Sequence, residues 1–275
     1  MSANQFLLIV AAGFLIWIAA SRFKKFRRQR IPGAPFPTSY IEILQSNMGL
    51  YPALPASLKT ALHRGINLFL FDKEFVGCDG QEITDEVRLT IAGNACLLVL
   101  AQTRQIYPSF KTILVYPSTY TVTQKTHEGE VVFDEHSTRA GESWFRGPIV
   151  LSWTDIVHGS KNIVDGQNVV IHEFAHKLDE ENGVMDGLPI LRDRTHYSEW
   201  SNVLNSEYDA FLKRVQTRRN KVIDEYGAIS AVEFFAVISE SFFEKSVRMK
   251  SDLPELYGQL QRFYGLDPAS WLIKK

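Results

Sequence analysis

The sequence predicts an α+β domain, a small sheet packed on a helical layer, preceded by an N-terminal transmembrane helix. Three observations lead there. An uninterrupted apolar run from Phe6 to Ala20 is followed directly by a basic collar, RFKKFRRQR, at 22–30. Two strand-like runs, Lys111–Tyr116 (KTILVY) and Gly147–Trp153 (GPIVLSW), lie in mid-chain. Beyond them, apolar residues recur at helical spacing over 165–182, 197–219, 230–248 and 253–264. Strands first and helices later is the order expected of segregated layers.

The apolar run covers roughly 22 Å as a helix against a hydrocarbon core of ~30 Å. Ser2–Gln5 and the snorkelling side chains of Arg22 and Lys24 extend it to a full span. The positive charge follows the run, opposite to the order in a cleavable signal peptide. The positive-inside rule therefore places the collar and the body in the cytoplasm, tethered to the inner membrane through residues 6–20. Pro32, Pro35 and Pro37 make 31–37 a linker that no helix crosses. The predicted organisation is an anchor with its collar at 1–30, the linker at 31–37 and a body at 38–275. Within the body, 38–110 is a helical part and 111–275 a catalytic core.

Composition bounds the body. With 275 residues, 45% hydrophobic and 22% charged, the chain is neither disordered nor collagen-like. Two cysteines, Cys78 and Cys96, cannot make a disulfide framework and fit a reducing compartment. The net charge of −1 divides unevenly: the first 30 residues hold six basic groups and no acid, leaving 24 basic against 31 acidic residues in 31–275. The collar is explained by anionic lipid, so no nucleic-acid partner is expected.

In the body, 56–71 and 84–103 are helical by spacing, the second with Thr84 or Asp85 as N-cap. Thr121–Trp144 forms a hairpin between the two strands. The helix at 165–182, capped by Asp165 and ended at Gly183, contains VVIHEFAHKLD. His172 and His176 stand one turn apart on one face, placed to offer two imidazoles to a zinc ion. Glu173 is placed to act as general base. The apolar flank argues against two unrelated surface histidines, because a half-buried His-Glu-His is costly unless satisfied. A catalytic zinc needs a third protein ligand, and HKLDEEN at 176–182 lacks the downstream histidine that one class uses. AVEFFAVISESFF at 231–243 offers Glu233 and Glu240, two turns apart on one face. One serves as ligand and the other as support. Asp179, three residues after His176, is an acceptor able to fix an imidazole tautomer.

HEFAHKLD, the following G-x-x-D-G-x-P (Gly183, Asp186, Gly187, Pro189), GPIVLSW and AVEFFAVISESFF together resemble the Mlc titration factor A family of zinc-dependent peptidases, over about Ile113–Tyr264. The resemblance implies a gluzincin-like fold, similar to the catalytic domain of anthrax lethal factor. It implies one Zn²⁺ per chain on His172, His176 and Glu233, with Glu173 as base. Tyr226, seven residues before Glu233, matches the tyrosine that stabilises the oxyanion in such enzymes. The implied substrate is a peptide or protein, with endopeptidase and aminopeptidase action both open. The family also includes a member that binds and inactivates a transcriptional repressor, so sequestration of such a partner without proteolysis is the alternative function. One position departs from the family: counting back from Trp144, the extra metal-binding histidine of its best-known member is Phe133 here, with His136 nearby. A latent metal sphere of that type is not expected. The GPIVLSW strand is expected at a sheet edge, pairing with an extended substrate.

Overall fold

The computed structural model describes residues 3–102, 106–118, 120–128, 131–139, 141–143 and 147–272. The first helix, α1 (Ala3–Arg30), runs through the apolar segment and the collar without a break. Its last turns dock on the body: the Arg28 guanidinium pairs with the Asp72 carboxylate at 2.8–3.1 Å. The transmembrane reading is overturned, since no helix among the described residues is long and apolar enough to cross a membrane. In the helix itself the apolar stretch is confined to Phe6–Ala20, and basic residues crowd the turns that follow it. The tether through residues 6–20 loses its support with it.

After the 3-10 turn Ile31–Gly33 come α2 (Thr38–Asn47), α3 (Ala56–Asp72), the short strand β1 (Glu74–Gly77) and α4 (Asp85–Leu98). The Thr84 hydroxyl caps α4 by accepting the Val87 N–H at 3.3 Å, and all but three residues of the helix are buried. Next are β2 (Thr112–Tyr116), β3 (Tyr120–Glu128), β4 (Val131–Arg139), β5 (Gly141–Ser143) and β6 (Ile149–Ser152). The helices α5 (Trp153–Lys161), α6 (Val169–Asp179), α7 (Tyr197–Gln216), α8 (Ala231–Glu244), α9 (Ser246–Asp252), α10 (Pro254–Tyr264) and α11 (Ala269–Leu272) complete the chain.

The architecture is mostly helical around a small sheet, a correction to the expected α+β pair of layers. The sheet order is β1-β2-β6-β5, with β3 and β4 forming a separate antiparallel ribbon. β1, β2 and β6 are parallel, with Ile113 opposite Ile149 and Val115 opposite Leu151. β5 runs antiparallel to β6. The β6 strand therefore lies inside the sheet, not at its edge, and all four of its residues are buried. The expected strand Gly147–Trp153 is also shorter than its apolar run: Ser152 turns the chain by accepting the Asp155 N–H, and Trp153 opens α5.

The core gathers on the back of α6. Phe174, fully buried, packs its ring 4.9 Å from Tyr107 and 5.7 Å from both Phe69 and Phe110. Three chain segments distant in sequence thus meet behind the helix that carries the histidines. Phe174→Ala is expected to cost about 3–5 kcal/mol in denaturant unfolding, the range for deleting a buried aromatic. A loss under ~1 kcal/mol would mean that this cluster does not hold α6 in place.

Candidate metal centre

The site is built by two helix starts. Asn168 caps α6, its Oδ1 accepting the Ile171 N–H at 3.2 Å, and Asp165, the expected cap, lies outside the helix. The regular turn beyond Asn168 sets His172 and His176 on one face with ring centroids 4.8 Å apart and Nε2 atoms 3.1 Å apart. Ser230 caps α8, its Oγ accepting the Glu233 N–H at 3.2 Å. That cap places Glu233 in the first turn, with Oε2 at 3.0 Å from His172 Nε2 and 3.4 Å from His176 Nε2. Among the described residues, His172, His176 and Glu233 form the cluster able to hold a metal, with ligand atoms all within 4.8 Å of one another.

Glu240, two turns along α8, faces the other side of the first imidazole. His172 Nδ1–H donates to its Oε1 at 2.8 Å, and its Oε2 accepts the backbone N–H of Asn168. Burial alone would lower the His172 pKa, but the hydrogen bonds to Glu233 and Glu240 outweigh it and raise it well above the usual value. Glu233 shows the counterpart: burial favours its neutral form, yet the two imidazoles hold the carboxyl well below the ordinary range. Glu173 is buried, one of its oxygens has no partner, and burial pushes its carboxyl up against the pull of both imidazoles. Glu244, buried beyond Glu240 and bonded to the Asn168 side chain, is raised well above its ordinary value by burial.

Tyr226 sits on a 3-10 turn, Glu225–Ala228, whose Asp224 cap accepts the Tyr226 N–H at 2.8 Å. A Cβ on the adjacent Gly227 would lie 2.5 Å from Val237 Cγ2, so only glycine lets this turn approach α8 so closely. The Tyr226 ring is half exposed, with its centroid 5.8 Å from that of His172. Asp179, the expected support for an imidazole, is buried at the end of α6 and interacts electrostatically with His176. Its Oδ2 accepts the Gly187 N–H at 2.7 Å, while its Oδ1 and the Nδ1 of His176 are both buried without partners. It anchors the loop after α6. Phe133 lies on β4, and Trp144, from which its position was counted, lies outside the described residues.

Asn168 and Glu244 were missed in the sequence. Asn168 carried a usable signal, an N-cap residue four positions before the first histidine. Glu244 carried none beyond its place on the Glu240 face, one turn further on.

Asp179 makes stability depend on pH. Burial lifts its carboxyl from 3.8 to about 6 in the fold. Between those values the folded state binds the proton more tightly, so this group destabilises the fold as pH rises through that window, and the cost is complete above it. In metal-free protein, Asp179→Asn is expected to be more stable than the parent at pH 8 by up to about 3 kcal/mol. The advantage vanishes below pH ~4, near the unfolded carboxyl's own pKa. Equal denaturation curves at both pH values would refute this account of Asp179.

The comparisons with known proteins agree with this geometry. Residues 23–265 match the family described as glucose-regulated metallo-peptidase M90. An uncharacterized protein of Synechocystis sp. is 38% identical over 271 residues, 98% of each chain. Mlc titration factor A of Escherichia coli is 32% identical over 74% of this chain and 77% of its own. That of Cronobacter sakazakii is 31% identical over 73% and 76%. A metallopeptidase family implies a metal, and the two histidines with Glu233 are residues able to hold one. The chain belongs to the M90 metallopeptidase family, the family of Mlc titration factor A.

Proposed function

We propose that this protein is a zinc-dependent peptidase, with His172, His176 and Glu233 as metal ligands, Glu173 as general base and Tyr226 as oxyanion donor. The observation that carries the proposal is the convergence of three ligand atoms at separations of 3.0, 3.1 and 3.4 Å. Three ligands at ~2.0–2.1 Å from one tetrahedral zinc stand about 3.3 Å apart, so the donor set fits that ion in type and spacing. The charge balance supports the same reading: buried carboxylates crowd two imidazoles, and a dication offsets them.

Zinc, when bound, supplies Lewis acidity that polarises the scissile carbonyl and lowers the pKa of water toward ~7. The protein's part is proton handling and orientation. Glu173, its carboxyl raised by burial, takes the proton of the attacking water and delivers it to the leaving amine. The Tyr226 hydroxyl donates to the oxygen on which charge develops. Glu240 holds the Nδ1–H of His172, which leaves Nε2 as the ligating nitrogen.

Glu173→Gln is expected to keep one zinc per chain while turnover on an unbiased peptide pool falls roughly 10²–10⁴-fold. Retention of the parent rate would refute the assignment of the base.

A second reading is favoured by the name of the relatives, which speaks of titrating Mlc: binding of a transcriptional repressor independently of proteolysis. It predicts that a His172→Ala/His176→Ala variant, devoid of zinc, still co-purifies with an Mlc-type repressor. Loss of capture in a folded variant would exclude sequestration that is independent of the metal.

A further inference from the structure

Asn168 makes more hydrogen bonds than a helix cap requires. Its Oδ1 completes the first turn of α6. Its Nδ2 donates to Glu244 Oε1 on α8 at 3.0 Å and to Asn94 Oδ1 on α4 at 3.2 Å, with the Gly159 carbonyl of α5 at 3.4 Å. Its backbone N–H donates to Glu240, whose second oxygen accepts from His172. One buried residue thus caps the helix of the histidines and grips α8 at two positions a turn apart. Asn94 is held in turn, donating to the Thr90 carbonyl at 2.9 Å and the Ser160 hydroxyl at 3.0 Å. The grip on α8 is therefore backed by both α4 and α5.

The chemistry at this position singles out asparagine. Serine, threonine or aspartate would cap the helix equally well. None of them brings an amide donor pair to Glu244 and Asn94, and aspartate would add a further carboxylate beside Glu240 and Glu244.

We propose that Asn168 is a positioning residue that pins α6 to α8 in the register where His172, His176 and Glu233 converge. It acts through Glu240 and Glu244 and touches none of the three ligands' metal-facing atoms. The inference rests on the reading of that cluster as a metal centre, and its test separates the two.

The variants are Asn168→Ser, which keeps a cap oxygen but cannot reach Glu244 or Asn94, Glu244→Leu, which removes the acceptor, and Glu244→Gln, which retains an acceptor oxygen. Zinc affinity is measured by competition with a chromophoric chelator, and amide hydrogen exchange is followed in the metal-free protein. Asn168→Ser and Glu244→Leu are expected to weaken zinc binding about 10–100-fold, with Glu244→Gln within roughly threefold of the parent. In Asn168→Ser without metal, exchange at 169–173 and 240–244 is expected to quicken about tenfold or more, while β2 and β6 keep the parental rates. Unchanged exchange at both helix segments would overturn the proposal. So would acceleration spread evenly over β2 and β6, the signature of a merely structural residue. If the parent itself takes up no zinc, the metal reading falls and the exchange pattern alone decides the role of Asn168.

Discussion

The packing of α6 against α8 is the constraint on which the site depends, because it brings together groups that would not share a dry interior by themselves. Glu173, Glu240 and Glu244 are buried and Glu233 is partly so, around two imidazoles. An isolated buried carboxylate is unfavourable by several kcal/mol unless neutralised or hydrogen-bonded. The arrangement persists because each group has its own remedy. Glu233 is paired with both histidines, Glu240 lies between His172 and a backbone N–H, and Glu244 is pushed toward its neutral form beside an amide. Glu173 and Glu244 each keep an oxygen without a hydrogen bond, and of the two only Glu173 feels the charge of both imidazoles.

The rest of the fold holds that packing still. Behind α6, Phe174 locks into the ring cluster of Phe69, Tyr107 and Phe110. At its far end Lys177, fully buried, donates to both oxygens of Glu180 and to the Gly147 carbonyl, which ties the helix to the entry of β6. Next to Glu180, Asp179 anchors the following loop by accepting the Gly187 N–H. Gly187 has φ of 80°, and a Cβ there would lie 2.7 Å from the Ala231 carbonyl, so the loop closes onto the start of α8. The two helices are joined at both ends, by Asn168 at one and by this loop at the other.

What could be read from the chain divides along physical lines. The His172/His176 pair was legible because helical periodicity converts a spacing of four directly into a shared face. The Thr84 cap and the helix around 56–71 were legible for the same local reasons. The place of β6 was not, since an apolar run of that length reads alike at an edge or in the interior, and the sheet order depends on a three-residue strand, β5, too short to leave a pattern. For Asp179 the spacing told only of its reach toward His176, while its hydrogen-bond donor, Gly187, is a backbone group with no side-chain signature. The N-terminal span failed on a quantity: fifteen apolar residues marked a helix correctly, but not one apolar enough over its length to cross a bilayer.

Glu233 and Glu240 show how local structure resolves what spacing leaves open. Seven residues apart on one helix, they are equivalent by periodicity, and either could have faced the Nε2 atoms of the two histidines. Ser230 breaks the tie by starting α8 three residues before Glu233, which puts that carboxylate in the first turn. There the helix dipole favours a negative charge, and the helix end leaves it partly open to solvent. Glu240, in the closed middle of the helix, has no such exposure and no such dipole, and is stable only as an acceptor for His172 and Asn168. The same side chain in two settings therefore fits two roles: in the proposed metal centre the accessible carboxylate is the ligand, and the enclosed one orients the imidazole beside it. The register that separates the roles is set by a serine hydroxyl at one helix start and an asparagine at the other.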